Sequence, residues 1–332
     1  MDRKVSSINP DLLHWLLEKK NPSVRYYTLT DLLGKAENEA EVIAARKAIM
    51  DHGMVPYILS QQQPDGNWSA ADRFYTDKYR GTVWQLLILA ELGADGNHPG
   101  IRKACEFILQ TSQDPDSFAF SYRKRAKESG GLHSEVIPCL TGNMIWSLIR
   151  LGNGSDHRVQ AGIQWIISYQ RSDDGIDVSP AGWPYDRYQM CWGKHSCHMG
   201  VVKSLKALAA IPADNKSPEV ISKIGELAEY LLIHRIHKKS HELKKVSRPG
   251  WRKFGYPLMY QTDILEILEI LISLGYKDQR MAEALEIVKQ KQGIDGRWKM
   301  ENSYNGRFIQ DVEVLRMESK WITLKALKVL FG

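Results

Sequence analysis

Apolar helical stretches end at a nearly constant interval along the chain. The six end positions, here called stops, are Gly34, Gly93, Gly152, Ile211, Gly275 and Gly332. The spacings between them are 59, 59, 59, 64 and 57 residues. Glycine just past an apolar helix is typical of a C-cap, because glycine adopts the left-handed backbone conformation at little cost. A period of this length indicates repeated units that each pack on their neighbours.

Helices of two kinds alternate between these stops. Residues 83–90 and 264–271 are apolar nearly all round, which is typical of buried helices. Amphipathic stretches lie between them and suit an outer layer: 98–112, 155–170, 217–236 and 278–292. One buried and one amphipathic helix in each of about six units predicts an all-α fold, an (α/α)6 toroid (barrel). We expect parallel inner helices and antiparallel outer helices in a single domain over residues 1–332.

A glutamine, glycine and tryptophan signature follows two of the outer stretches. It reads QQPDGNW at residues 62–68 and QGIDGRW at residues 292–298. We expect the glutamine to bond the end of a neighbouring helix and the tryptophan to pack over the Asp-Gly turn. The signature resembles the QW motif of squalene and oxidosqualene cyclases. With its period, the chain resembles the superfamily of terpene cyclases, protein prenyltransferase β subunits and lanthipeptide cyclases, and within it the prenyltransferase/squalene oxidase repeat proteins.

Composition and charge exclude several classes of protein. Of the 332 residues, 43% are hydrophobic and 25% are charged, which is typical of a soluble globular protein. No apolar run reaches the roughly 18 residues that a membrane span needs, so we expect no transmembrane segment. The polar residues 1–4 are unlike a signal peptide, and we expect a cytoplasmic protein. A net charge of +6 is mild for this length and does not indicate nucleic-acid binding.

The period also predicts where the inner helices begin. The positions thirteen residues before the six stops are Asn21, Arg80, Cys139, His198, Thr262 and Ser319. Parallel inner helices open all their N-termini at one end of the barrel, here called the N-terminal mouth. Free N–H groups and positive dipole ends at this mouth suit anions and thiolates. Cys139 and the segment 191–198 are therefore expected to meet there.

Three of the four cysteines collect at this mouth with two histidines. Zinc takes four nitrogen or sulfur ligands in a tetrahedron. The expected ligands are Cys139, Cys191 and Cys197, with His195 or His198. Three thiolates and a histidine would be a closed structural site, whereas two thiolates and a histidine would leave one position open. The alternatives are ordinary core cysteines beside satisfied histidines, or a metal-free thiol nucleophile.

The family resemblance supports part of this ligand set. Protein prenyltransferase β subunits bind zinc through an Asp-x-Cys at one mouth and a His at the next, and lanthipeptide cyclases use a Cys and a following Cys-His pair. Cys139 matches the first position, and Cys197-His198 matches the pair. Two positions depart from these patterns: Ile137 replaces the aspartate, and Met199 replaces the glycine that follows the Cys-His pair.

Acidic and aromatic residues near the mouth suggest other chemistry. The DxDD motif of class II terpene cyclases and the DDxxD motif of class I enzymes are both missing from the sequence. Asp77 and Asp263 are isolated acids that act either as a general acid or as helix caps and first-turn charges. Tyr260 belongs to a set of aromatic residues that either line a cavity and steady a carbocation or fill the core.

Cations near the mouth are candidates for binding a diphosphate. They are Arg80, Lys194 and Lys320, with Lys78 nearby. Residues 235–253 add eight lysines and arginines, which form either a solvated loop or a rim that attracts an anionic substrate.

Three functions remain open at the level of sequence. The first is a terpene cyclase- or prenyltransferase-like enzyme that depends on zinc and acts on an isoprenoid or transfers an alkyl group to a thiolate. Its substrate would be a small molecule or a peptide thiol, for example with a prenyl diphosphate as donor. The second is a metal-free isoprenoid cyclase that uses an aspartic acid. The third is a catalytically inactive toroid that binds a ligand or serves as a scaffold.

Overall fold

The computed structural model describes residues 8–175, 178–188, 191 and 195–332. Its α-helices are α1 (Pro10–Leu16), α2 (Pro22–Tyr27), α3 (Ala40–Asp51), α4 (Met54–Ser60), α5 (Thr82–Glu91), α6 (Pro99–Thr111), α7 (Pro138–Arg150), α8 (His157–Tyr169), α9 (His198–Ala209), α10 (Pro218–Ile233), α11 (Ile264–Ser273), α12 (Ala282–Gln290) and α13 (Lys320–Phe331). A π-helical turn, Thr28–Leu32, extends α2. Strands β1 (Lys238–Lys239) and β2 (Glu242–Val246) form an antiparallel hairpin. None of the helices in these described ranges is long and apolar enough to cross a membrane.

Six helices form the inner ring of a toroid. They are α2, α5, α7, α9, α11 and α13, and from α5 onward each packs on the next, with α13 against α2. Tyr27 of α2 completes the ring by lying close to Gly93, just after α5. All six helices contribute residues from their C-terminal halves to one cavity of about 220 Å³, so they run parallel. The predicted all-α toroid of parallel inner helices is therefore confirmed.

The inner helices begin where the sequence period predicts. Their first residues are Pro22, Thr82, Pro138, His198, Ile264 and Lys320, each within two residues of the predicted position. Gly93 and Gly152 follow α5 and α7 with φ angles of +73° and +83°, which is the left-handed conformation of a helix C-cap. Helix α5 is buried at every position from Thr82 to Ala90, as its apolar sequence indicates.

The outer layer consists of α1, α3 with α4, α6, α8, α10 and α12. Helices α6 and α8 lie within the predicted stretches 98–112 and 155–170. The predicted helix 217–236 needs a correction, because α10 ends at Ile233 and the β hairpin follows. Arg235 and Ile236 adopt φ angles of +43° and +71°, which turn the chain out of the helix. The basic segment thus forms a small β element that the sequence analysis did not predict.

The glutamine and tryptophan of the repeated signature hold the outer layer together. The Gln62 side chain donates to the Gly100 carbonyl at the start of α6 over 2.8 Å. The Trp68 indole donates to the Ile58 carbonyl over 2.8 Å, and the Trp298 indole makes the equivalent bond over 2.7 Å. Both indoles are almost fully buried. Each copy therefore closes the end of one outer helix, and the first also ties that helix to the next one.

Buried ion pairs line the C-terminal end of the barrel. Lys203 of α9 lies 2.8 Å from Glu266 of α11, with side chains 0% and 2% exposed. Lys206 lies 2.5 Å from Glu91 and 3.2 Å from Glu266. Cations at this end offset the negative ends of six parallel helix dipoles. The central cavity is therefore lined by alternating charges as well as apolar side chains.

Candidate functional site at the N-terminal mouth

Three cysteines meet at the N-terminal mouth. Cys139 is the second residue of α7, and Cys197 caps the N-terminus of α9. Cys191 lies in the segment before α9, and its thiol is hydrogen bonded to the sulfur of Cys197. Cys139 lies close enough to both for the charges of the three sulfurs to influence one another. The structure thus brings together the cysteines from two neighbouring inner helices, and we call them the cysteine cluster.

The three thiols differ in how readily they ionise. The hydrogen bond from Cys191 lowers the pKa of Cys197 and outweighs the effect of burial. Backbone N–H groups in the first turn of α9 and the charge of Arg248 act in the same direction. Burial raises the pKa of Cys139 to about 12, and the hydrogen bond to Cys197 raises that of Cys191. Cys197 is therefore the thiol of the cluster that ionises most readily.

The two candidate histidines lie on the outer side of Cys197. The His198 ring stacks on Trp251 at 4.2 Å and meets the His234 ring edge-on at 5.7 Å. Burial lowers the pKa of His198 to about 3, so its ring is neutral at pH 7. His195 is exposed, and its Nδ1 accepts a hydrogen bond from the Gly175 N–H over 3.1 Å. Both rings therefore contact elements outside the barrel mouth.

These histidines line a second space, which we call the outer-wall pocket. It has a volume of about 440 Å³ and lies between the start of α9, the end of α10 and the β hairpin. Its walls include Asp174, Cys197, His198, His234, Lys239 and Arg248. Part of the basic segment 235–253 thus faces a pocket. Asp174 and His234 were not among the predicted site residues, because no local pattern relates a loop to a helix end 60 residues later.

Aromatic residues form a wall beside the mouth. Tyr79 and Tyr260 are stacked at 6.3 Å with their hydroxyl groups 3.5 Å apart, and Tyr75 and Trp84 lie 5.3 Å apart. The Lys78 ammonium lies 5.4 Å from the centre of the Tyr75 ring and 5.0 Å from that of Tyr260. We call Tyr75, Tyr79, Trp84 and Tyr260 the aromatic wall. The ring faces of Tyr75 and Tyr260 attract the positive charge of Lys78.

The aromatic wall borders the cysteine cluster. Burial raises the pKa of Tyr75, and the charges of Cys139 and Cys191 act on the same hydroxyl. Sulfur atoms and aromatic faces are therefore presented side by side at the mouth. A substrate that needs both a nucleophile and an apolar or cation-stabilising surface would meet both here.

The two predicted acids have structural partners. Asp77 accepts a hydrogen bond from Ser69 and lies 3.8 Å from the guanidinium of Arg73. Asp263 caps α11, where its carboxylate accepts N–H bonds from Glu266 over 2.8 Å and from Gly255 over 3.1 Å. Burial raises the pKa of Asp263 to about 7. For Asp263 the geometry is that of the N-cap alternative.

The predicted diphosphate-binding cations are scattered. Arg80 is exposed beside the aromatic wall. Lys320 is buried, donates to the Trp15 carbonyl and lies 3.1 Å from Glu18, so it ties α1 to the start of α13. Lys194 lies outside the described residues.

One group of three side chains is compact enough to suggest a metal ion, and it is not the cysteine cluster. Within the described part of the chain, only Asp114, Asp116 and His133 place their ligand atoms all within 4.8 Å of one another. The Arg125 guanidinium lies 3.2 Å from Asp114 and 2.5 Å from Asp116. Because this guanidinium already supplies the positive charge, the group is explained as a loop ion-pair cluster.

Comparison with solved structures finds chains of low similarity. A protein from Actinoplanes has 14% identity and a TM-score of 0.44, covering 99% of this chain and 97% of its own. A GH76 α-mannanase from Bacteroides thetaiotaomicron has 12% identity and a TM-score of 0.47, covering 94% and 84%. A possible member of the GH105 family from Salmonella enterica serovar Paratyphi A has 10% identity and a TM-score of 0.45, covering 100% and 88%. These scores are too low to support an inference about activity.

Comparison with protein families is more specific. No curated protein matches the chain. Residues 28–190 match the squalene-hopene cyclase C-terminal domain. The match includes Cys139 and ends one residue before Cys191. Over these residues the chain is therefore similar to the terpene cyclase α/α-toroid family, to which the squalene-hopene cyclase C-terminal domain belongs.

Proposed function

We propose that the chain is an enzyme whose active site is the N-terminal mouth, where the cysteine cluster holds zinc. The observation that supports this proposal is the meeting of Cys139, Cys191 and Cys197 at the ends of neighbouring inner helices. Isolated structural cysteines have no reason to collect where helix N-termini favour thiolates. A thiolate site also needs a reducing compartment, and we place the protein in the cytoplasm, where all four cysteines stay free.

The sulfur atoms of the cysteine cluster are ligands of the kind that zinc prefers, although the three atoms do not all lie close together in the structure. Zinc prefers sulfur and nitrogen ligands, and Cys197 already favours the thiolate form that a metal requires. A hydrogen bond between Cys191 and Cys197 holds two of the sulfurs together. Because the rings of His195 and His198 contact elements outside the mouth, three thiolates would leave the fourth position open to a substrate. An open position is typical of catalytic zinc.

The aromatic wall indicates the substrate class. Zinc, when bound, would lower the pKa of a coordinating substrate thiol and keep its sulfur nucleophilic at neutral pH. Tyr75 and Tyr260 would hold an isoprenoid chain or its developing positive charge against their ring faces. Lys78 lies over these rings and would meet the diphosphate leaving group. The reaction is alkyl transfer, in which a bond forms between sulfur and carbon while the bond between carbon and diphosphate oxygen breaks.

Metal binding tests the site. We expect cobalt added to metal-free protein to give a thiolate-to-cobalt charge-transfer band. The variant Cys139→Ala should lose the band, or weaken cobalt binding at least about tenfold. Cys105→Ala is the control, since Cys105 is also a free cysteine but is buried on α6, away from the mouth. A wild-type protein without the band, or a Cys139→Ala variant that keeps both the band and the wild-type affinity for cobalt, would refute the zinc proposal.

Activity tests the reaction class separately. Zinc-loaded protein is mixed with farnesyl diphosphate and glutathione, and both the thioether and the released diphosphate are measured. We expect Lys78→Gln to slow the release, whereas Lys47→Gln on the outer helix α3 should leave it unchanged. Zinc binding without turnover would retain the metal site and remove the prenyl donor from the proposal.

A second candidate is a toroid that binds a ligand without chemistry. The 220 Å³ central cavity favours it, because charged side chains from five inner helices and from the π-helical turn after α2 line this space. The metal-free cyclase has less support, because Asp77 is ion paired and Asp263 caps a helix.

A further inference from the structure

The outer-wall pocket contains an imidazole whose tautomer is determined by a backbone contact. His234 is 6% exposed, and its Nδ1 lies 2.7 Å from the Tyr230 carbonyl oxygen. A carbonyl oxygen only accepts hydrogen bonds, so Nδ1 carries the proton. In the neutral ring Nε2 therefore presents a lone pair. Metal-binding histidines have this arrangement, with one nitrogen held by a carbonyl and the other free to coordinate.

The lone pair of His234 faces a carboxylate across a gap. Nε2 lies 3.7 Å from Oδ1 of Asp174, which is longer than a hydrogen bond. Two acceptors that face each other in a largely buried setting repel unless a cation lies between them. The Asp174 side chain is 20% exposed and belongs to a loop, so rotation about its own bonds shortens the gap.

A second imidazole lines the same pocket. Nε2 of His198 is enclosed by protein and has no hydrogen-bond partner. Stacking on Trp251 fixes its ring, and the His234 ring lies 5.7 Å away. A buried polar atom without a partner costs about 1–3 kcal/mol, so such atoms usually have a role.

The nearby cations do not occupy this gap. The Arg248 guanidinium lies 5.9 Å from the centre of the Trp251 ring. Lys239 lines the same pocket from the hairpin. These charges lower the affinity for any cation, but they also favour an anion as a further ligand of a bound metal.

We infer that His198, His234 and Asp174 form a divalent transition-metal site in the outer-wall pocket, separate from the cysteine cluster. Two imidazoles and one carboxylate suit zinc or iron and leave positions open toward the pocket. The three ligand atoms come from a loop, the start of α9 and the end of α10. In the structure Asp174 and His234 are 3.7 Å apart, but the three ligand atoms are not all within 4.8 Å of one another, so a movement that brings this pair and His198 together accompanies binding.

The test removes the cysteine cluster first. The full-length protein carrying Cys139→Ser, Cys191→Ser and Cys197→Ser retains an oxygen cap at the start of α9. After chelation, zinc binding is measured by calorimetry, and cobalt binding by its visible spectrum. We expect about one ion per chain, and no thiolate charge-transfer band with cobalt.

Single changes in this background identify the ligands. Asp174→Asn and His234→Gln should each weaken zinc binding at least about tenfold. His241→Gln is the matched control, since His241 lines the same pocket, and its affinity should stay within about twofold. Asp174→Asn keeps the test valid if His234→Gln does not fold, because Asp174 lies in a partly exposed loop.

Two outcomes would overturn the inference. One is a triple-serine protein that binds no zinc, which would make His234 and Asp174 an ordinary protonated ion pair. The other is an Asp174→Asn variant that binds zinc as well as the His241→Gln control does. Neither outcome depends on the cysteine cluster, whose failure shows separately as a missing charge-transfer band in the wild-type protein.

Discussion

The buried pair between Lys203 and Glu266 offers a quantitative test of the fold. Changing Glu266 to glutamine keeps the shape but removes the carboxylate that faces Lys203 at 2.8 Å, between α9 and α11. At an effective dielectric of about 20 this contact is worth roughly 6 kcal/mol of attraction. Removal of the water around each ion offsets most of that gain. Intact, the pair therefore contributes little net stability.

Removing one partner of this ion pair lowers the free energy of unfolding much more than the intact pair raises it. Lys203 is fully buried, and Glu266 is the carboxylate that the structure places against it, so Glu266→Gln leaves a charge without a counter-ion. Burial already lowers the pKa of Lys203, and Glu266 opposes this effect. We expect Glu266→Gln to lower the free energy of unfolding by about 3–5 kcal/mol, which is typical of a broken buried ion pair.

Urea unfolding followed by circular dichroism measures this change. The control is Glu229→Gln, which removes the partner of Arg280 from a surface pair with side chains 34% and 56% exposed. We expect the control to cost at most about 1 kcal/mol. The reasoning would be refuted if the two variants were destabilised equally. Replacing both Lys203 and Glu266 by apolar residues should recover most of the loss.

Two further predictions concern acid stability and helix packing. Burial alone would raise the pKa of Glu91, but Lys206 and Lys325 outweigh it and lower the value to about 2, from 4.5. Because the folded pKa is the lower one, the stabilisation is complete above about pH 5, amounts to about 3 kcal/mol, and is lost as the pH falls toward 2. The unfolding free energy of wild type should therefore fall by about 2 kcal/mol more between pH 6 and pH 3 than that of Glu91→Gln; equal slopes would contradict this. At Gly142, a Cβ would lie 2.5 Å from the α9 backbone, so Gly142→Ala should cost about 1–3 kcal/mol, whereas Gly225→Ala in open space on α10 should be neutral or stabilising in the same urea assay.

The sequence by itself determined the architecture and the meeting of the cysteines. Stop glycines such as Gly93 and Gly152 act locally, through the φ angle that each adopts, so they can be read without knowing the neighbours. A constant helix length then places the start of each inner helix within two residues. Since parallel helices open at one end, Cys139 and Cys197 had to come to the same mouth.

Only the tertiary structure decided where side chains beside that mouth point. His198 is adjacent to Cys197, but its ring turns outward because Trp251, from the segment after the hairpin, stacks on it. Lys320 starts an inner helix but donates to Trp15, 305 residues away in sequence, which no local pattern indicates.

Only the tertiary structure decided which charged side chains lie inside the barrel. Lys203 and Glu266 are 63 residues apart, and each looks like an ordinary surface residue in an amphipathic pattern. Whether such a residue faces solvent or another helix depends on the rotation of each helix about its axis in the ring. That rotation is determined by packing between helices, and a repeat period leaves it open.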